Sequence, residues 1–190
     1  MRNYSTAVLI LLLLVFYGSC NKADDPVLEN EEEVITDLVY TLRPVGSGIP
    51  VTMTFRDPDG DGGQAPSLLV SGSLRPNQEY DGSLILLNNS NPANPGDITT
   101  EVRNEGADHQ FFYIPGGGLQ VTPAYDDSDA NGDPLGLETT LMTGDSSAGT
   151  LRILLRHEPN KQASGIGITD PAAAGGETDI EVTFAVEVSN

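Results

Sequence analysis

Tryptophan is absent, and cysteine occurs once, at Cys20, in a chain of 190 residues. A lone thiol cannot close an internal disulfide, and it rules out both a thiolate zinc cluster and a cysteine nucleophile elsewhere. Basic residues are scarce as well: 9 Lys and Arg face 28 Asp and Glu, for a formal net charge of -19. Such a surface repels phosphates, which excludes nucleic acid as an expected partner, and it attracts cations. Solubility alone accounts for most of that charge. Histidine appears only as His109 and His157, flanked by Asp108 and Glu158. Either can act as a metal ligand or a base. Alternation places His109 on a face with Phe111 and Tyr113, the setting of a hydrogen-bonded strand histidine, and His157 closes an apolar strand beside Arg156. Two histidines without cysteine do not predict a dedicated transition-metal site.

Long apolar runs are missing apart from one. Ala7 to Phe16 reads AVLILLLLVF, after Arg2 and before Gly18 and Ser19. A membrane span needs about 20 apolar residues. This run has half that length behind a basic start and ahead of small residues, which is the layout of a cleaved secretory signal. Its end, Gly18-Ser19-Cys20, resembles a bacterial lipobox, with Tyr17 where an aliphatic residue is usual. The resemblance implies a diacylglycerol on Cys20, which also accounts for the unpaired thiol.

Residues 1-19 are therefore expected to be a signal peptide, and 20-33 the lipidated cysteine with a flexible tether. The tether, NKADDPVLENEEE, has too little apolar surface to offset the entropy of ordering. Residues 34-190 suit one domain. Lys22, Asp24 and Asp25 resemble the short acidic export signal of Bacteroidota surface lipoproteins. The expected location is the outer membrane, held by the lipid, on its periplasmic face or at the cell surface.

Beyond the tether the dominant pattern is alternation with a period of two, the mark of strands with one buried face. Ile180, Val182, Phe184, Val186 and Val188 alternate with Asp179, Glu181, Thr183, Ala185 and Glu187. Leu38, Tyr40 and Leu42 share a face, as do Val51, Met53 and Phe55, then Tyr80, Leu84 and Leu86, then His109, Phe111 and Tyr113. Shorter candidates cover 67-70, 119-122, 139-143 and 150-155. Gly, Pro, Asn and Asp clusters such as NNSNPANPGD separate them and supply turns. One short helix fits near 97-107, where Ile98 and Val102 are four apart behind a possible Asp97 cap. The pattern predicts an all-β chain, a two-sheet β-sandwich of about nine strands, Greek-key or immunoglobulin-like.

The segments EEEVITDL, DPDGDG, DHQFFY, GGGLQV, NGDPLG, LRHEP and GGETDI, spread over residues 31 to 188, carry a family resemblance. Together they resemble small Bacteroidota lipoproteins that go by the name "type 1 periplasmic binding fold superfamily protein". The resemblance implies a lipid-anchored envelope protein and no particular activity. The fold in that name is two α/β lobes, which neither the length nor the periodicity of this chain provides.

Asp127 to Glu138, DSDANGDPLGLE, meets every fixed position of the calcium-loop pattern D-x-[DN]-x-[DN]-G-x5-E. Oxygens at alternate positions converge, Gly132 permits the turn, and a distal glutamate closes the shell with two oxygens. Asp127, Asp129, Asn131 and Glu138 are the expected side-chain ligands, with Asp133 contributing its carbonyl. Asp57, Asp59 and Asp61 repeat the first half of the pattern. Leu68 stands there in place of the glutamate, so that loop is expected to bind more weakly or to share ligands. Both segments also read as acidic hairpin turns.

Gly60, Gly62 and Ala65 match a dinucleotide pattern without its crossover helix. Gly144-Asp145-Ser146 resembles a hydrolase block without its α/β core. The expectation is a non-enzymatic binding or structural module, stabilised by calcium and attached to the membrane through Cys20. An accessory glycan-binding lipoprotein is the alternative, and a secreted hydrolase using paired carboxylates the third reading. Against the glycan reading, the tyrosines and phenylalanines fall mostly at core positions.

Overall fold

The computed structural model describes residues 33 to 60 and 63 to 190, so the export segment, Cys20, all of the tether before Glu33 and Asp61 lie outside the described residues. The elements run β1 (Asp37–Pro44), β2 (Val51–Arg56), β3 (Ser67–Val70), β4 (Glu79–Asn88), β5 (Gly96–Asp97), α1 (Ile98–Asn104), a 3-10 turn (Gly106–Asp108), β6 (His109–Gly116), β7 (Val121–Tyr125), β8 (Glu138–Thr143), β9 (Ser147–His157) and β10 (Glu177–Val188). The tenth strand, beyond the expected nine, is the two-residue β5.

The strands form two antiparallel sheets, one ordered β3-β2-β1-β4-β8-β7 with β5 on β4, the other β10-β9-β6. The chain crosses from the first sheet to the second between β5 and β6, returns between β6 and β7, and crosses again between β8 and β9. Inward residues of both sheets share one core, with Leu38, Tyr40, Leu84 and Leu86 from the first meeting Phe111, Ile153, Val182 and Phe184 from the second. Tyr40 and Tyr113 touch across it with ring centroids 5.1 Å apart. Each buried hydroxyl is satisfied, Tyr40 with Thr139 at 2.7 Å and Tyr113 by donating to the Gly136 carbonyl at 2.7 Å. That is the condition for burying tyrosine cheaply.

The alternation along β10 holds from Ile180 to Val188, with apolar residues buried and their neighbours exposed. β6 does not alternate, because the connection between β9 and β10 covers its outer face: Phe112 and Leu154 pack there against Ala174 and Ile166. The helix is a two-turn piece capped by Asp97, whose side chain accepts from the Thr100 amide at 3.2 Å, and it buries Ile98 and Val102.

Phe184 is 1% exposed, so Phe184→Asp buries an unpaired carboxylate and is expected to cost several kcal/mol. Glu181 points outward and pairs with Arg152 at 3.3 Å on the surface, so Glu181→Ala should cost less than about 1 kcal/mol. Urea unfolding of the two variants checks this, and equal losses would contradict the assigned faces.

Candidate metal centre

His109 opens β6 and His157 ends β9, and the antiparallel register sets them directly opposite each other. Their ring centroids are 4.9 Å apart. β10 lies on the other side of β9, pairing Thr178 with Arg156 and then Ile180 with Leu155, so Asp179 is the extra residue of a β-bulge. Strict alternation would turn Asp179 outward with Glu181, as the sequence pattern predicts. The bulge re-aims it, as bulges do, and its side chain is fully buried. Glu33 arrives from the segment before β1 and its side chain is 6% exposed. It was expected to end the flexible tether, yet it is packed against the sandwich.

The backbone around this corner is tightly determined. Gly176 takes φ +69, and a Cβ there would come within 2.1 Å of the His157 carbonyl oxygen, so only glycine fits. Glu158, next to His157, takes the left-handed φ of 48 that non-glycine residues rarely adopt.

Each carboxylate straddles both imidazoles. Glu33 Oε1 lies 2.8 Å from His109 Nε2, and Glu33 Oε2 lies 3.5 Å from His157 Nδ1. Asp179 Oδ2 lies 3.7 Å from His109 Nε2, and Asp179 Oδ1 lies 3.4 Å from His157 Nδ1. The other nitrogen of His109, Nδ1, is 3.0 Å from the carbonyl of Glu105, the residue that ends α1. A carbonyl only accepts, so Nδ1 donates its hydrogen there and Nε2 is the nitrogen that faces the carboxylates. Two carboxylates this close repel each other unless positive charge lies among them.

No lysine or arginine forms an ion pair with Glu33 or Asp179 among the described residues; the side chains that face them are the two histidines. Both Asp179 oxygens and Glu33 Oε2 are buried, and the contacts that Asp179 Oδ1 and Glu33 Oε2 make to His157 are long, at 3.4 and 3.5 Å. Burial, and then repulsion from Glu33, push the Asp179 carboxyl up to about 6, against the opposing pull of His109 and His157. One ligand atom from each of the four residues lies within 4.8 Å of the other three, so the cluster can bind a metal ion. The sequence reading did not foresee this, and weighed both histidines as structural.

The Asp127 to Glu138 segment is organised differently. The Asp127 carboxylate accepts from the amides of Gly136, Leu137 and Glu138 at 2.6, 3.0 and 3.1 Å. Asp129 Oδ1 accepts from the amides of Asn131 and Asp133 at 2.8 and 3.0 Å. Asp129 Oδ2 meets the Lys161 ammonium at 2.9 Å, with side chains only 4% and 1% exposed. The Asp133 carbonyl accepts from the Asp129 amide at 2.8 Å, and Glu138 faces Arg103 at 3.5 Å on the surface. Asn131 is exposed, and Gly132 takes φ +88 as the tight turn requires.

In the second loop, the Asp57 carbonyl accepts from the Gly60 amide at 3.2 Å. Exposed Asp59 accepts from the Gln64 amide at 3.2 Å. Asp61 lies outside the described residues.

Lys161 was missed because it stands 32 residues beyond Asp129 in sequence and no local spacing links them. Its three hydrogens go to Asp129, the Gly106 carbonyl at 2.6 Å and the Pro134 carbonyl at 3.1 Å. Comparison with protein-family models, curated proteins and solved structures found no match for this chain.

Removing one partner of a buried ion pair leaves the other uncompensated, so Lys161→Met is expected to cost about 3 kcal/mol or more. Arg103→Ala, at an exposed pair, should cost well under about 1 kcal/mol. Burial raises the Asp129 carboxyl, but Lys161 and the two amides outweigh it and leave the group below the usual aspartate range. Its contribution is therefore complete above about pH 4 and is lost as the pH falls through its lowered value. Chemical denaturation of the three proteins between pH 7 and pH 2 checks both expectations. A Lys161→Met variant as stable as the parent would show that the pair contributes nothing.

Proposed function

We propose that the chain is a lipid-anchored, non-enzymatic module of the cell envelope whose sandwich is stabilised by a bound metal ion. The observation that carries the metal is the buried convergence of Glu33, His109, His157 and Asp179. Four protein ligands with His109 at 0% and His157 at 4% exposure form a closed site, the structural kind, whereas catalytic sites keep a position open for water or substrate. This supports the non-enzymatic reading. The anchor is carried by the signal-like run and Cys20. The glycan-binding alternative is disfavoured, because none of the exposed large apolar side chains among the described residues is aromatic.

Calcium at Asp127 to Glu138 is the second reading. It is favoured by the complete match to the loop pattern and by the left-handed turn at Gly132, and it requires Asp129 to exchange Lys161 for the ion. A thermal melt separates the two. An ion of the imidazole-seeking class at a hundredfold excess over its dissociation constant adds about 2.7 kcal/mol, a rise of very roughly 5 to 10 °C for a domain of this size. Zinc is expected to give that rise, and a chelator to reverse it. Calcium giving the larger rise, lost in Glu138→Gln, would transfer the stabilising role to the loop, and identical melts in every condition would remove the metal.

The anchor has its own test. Cys20→Ser should move the protein from the membrane fraction to the soluble fraction or leave it unprocessed, since two or three acyl chains at about 0.8 kcal/mol per methylene dominate attachment. Mass spectrometry finding an unmodified Cys20 in the native envelope would end the lipoprotein reading.

A further inference from the structure

We infer that Glu33, His109, His157 and Asp179 hold one zinc-class divalent ion in four-fold coordination, with Glu33 the ligand that staples the first sheet to the second. This rests on the metal-stabilised reading above and adds the class of ion, its coordination and its mechanical role.

The donor set comes first. Two imidazole nitrogens and two carboxylates suit zinc and its neighbours, whereas calcium and magnesium prefer oxygen throughout. Spacing agrees with it. Ligands 2.0 to 2.1 Å from a tetrahedral ion stand about 3.4 Å from one another, and the nitrogen–oxygen separations here are 2.8, 3.4, 3.5 and 3.7 Å. Three of these are too long for good hydrogen bonds; they involve both oxygens of each carboxylate, and one ligand atom from each residue lies within 4.8 Å of the other three, so the side chains draw in on an ion to complete such a tetrahedron. Protons on the two imidazoles would serve the carboxylates pair by pair over these long contacts, whereas one ion serves all four groups at once.

The surroundings of the ligands point the same way. Metal-bound histidines commonly donate their second nitrogen to a carbonyl, which fixes the ring and its tautomer. His109 does so to Glu105. The bulge at Asp179 is the device that turns a strand residue from the solvent face into the cluster.

Connectivity supplies the mechanical role. His109, His157 and Asp179 all belong to the β10-β9-β6 sheet. Glu33 comes three residues before Thr36, whose amide bonds the Leu87 carbonyl of β4 at 3.0 Å, so it enters with the first sheet. An ion bound by all four joins the two sheets at one end. Immunoglobulin-type sandwiches join their sheets with a disulfide, a bond this chain cannot make within itself because Cys20 is its sole cysteine.

Cobalt(II) titration of the purified full chain tests this, because four-coordinate cobalt absorbs visible light far more strongly than six-coordinate cobalt. The expected result is one equivalent bound with the intense four-coordinate spectrum, displaced by zinc and untouched by calcium or magnesium. Glu33→Gln should weaken cobalt binding about tenfold or more, collapse the spectrum toward the weak six-coordinate form, and speed amide exchange over residues 33 to 36. Glu181→Gln, beside the bulge on the outer face, should change none of these. Cobalt bound with a weak spectrum, or a spectrum and affinity indifferent to Glu33→Gln, overturns the inference while leaving a metal-stabilised module standing. A wild-type chain that binds neither cobalt nor zinc at micromolar concentration overturns both.

Discussion

Two carboxylates buried against two imidazoles, with no lysine or arginine paired to them among the described residues, constrain everything at one end of this sandwich. Moving an ionised carboxylate out of water costs several kcal/mol even after relaxation. Two of them side by side also repel, and burial first, then that repulsion, push the Asp179 carboxyl up to about 6. The local fold nevertheless holds them together by several independent means. These are the register that opposes His109 to His157, the bulge that turns Asp179 inward, the left-handed backbone at Glu158 and the glycine that alone fits beside the His157 carbonyl. Strain and bulges of this kind persist where the surrounding structure over-determines them, and they gather at functional positions. A cation shared by all four side chains is the simplest agent that makes the arrangement favourable.

The same electrostatic problem is solved differently a short distance along the chain. Asp129 is as deeply buried as Asp179, but its counter-charge is the covalently attached ammonium of Lys161, and three acceptors use its three hydrogens. Asp127 is satisfied by three backbone amides at the turn into β8. With 28 acids and 9 basic residues, the chain has few internal cations to place. Among the described residues one such cation is placed at Asp129, and none is paired with Glu33 or Asp179.

The sheets were legible in sequence wherever one face meets solvent. Ile180 to Val188, Leu38 to Leu42 and Val51 to Phe55 alternate because their outer faces are wet. The short helix was legible from the Asp97 cap and the spacing of Ile98 and Val102. The buried cluster was not, and each of its members was hidden for a separate reason. A bulge shifts alternation by one residue without any mark in composition, so Asp179 looked like one more exposed acid. Glu33 ends an acidic run that reads as tether. His109 and His157 meet only through strand pairing across 48 positions of sequence. The acids placed against their rings, Glu33 and Asp179, come from distant stretches of the sequence rather than from beside them. The Asp127 segment shows the opposite case, because a pattern complete in sequence is built here around backbone amides and a distant lysine.

The position of Glu33 matters most when the chain is considered as an anchored one. In the reading proposed above, the lipid lies at Cys20, so any load between membrane and domain enters the folded part at Glu33 and passes next to β1. That strand is central in its sheet, bonded to β2 on one side and β4 on the other, and losing it would split the core. A ligand placed just upstream of β1 must be released before the strand feels the load. With the ion inferred above in place, the bonds that take it first would be those from Glu33 to that ion, held by the opposite sheet. A flexible junction would pass the same load straight to the ladder at Asp37, one hydrogen bond at a time. On the domain side Ile35 packs against the core and Thr36 is buried, whereas the acidic stretch before Glu33 has charge to offer an ion and little apolar surface to offer a core.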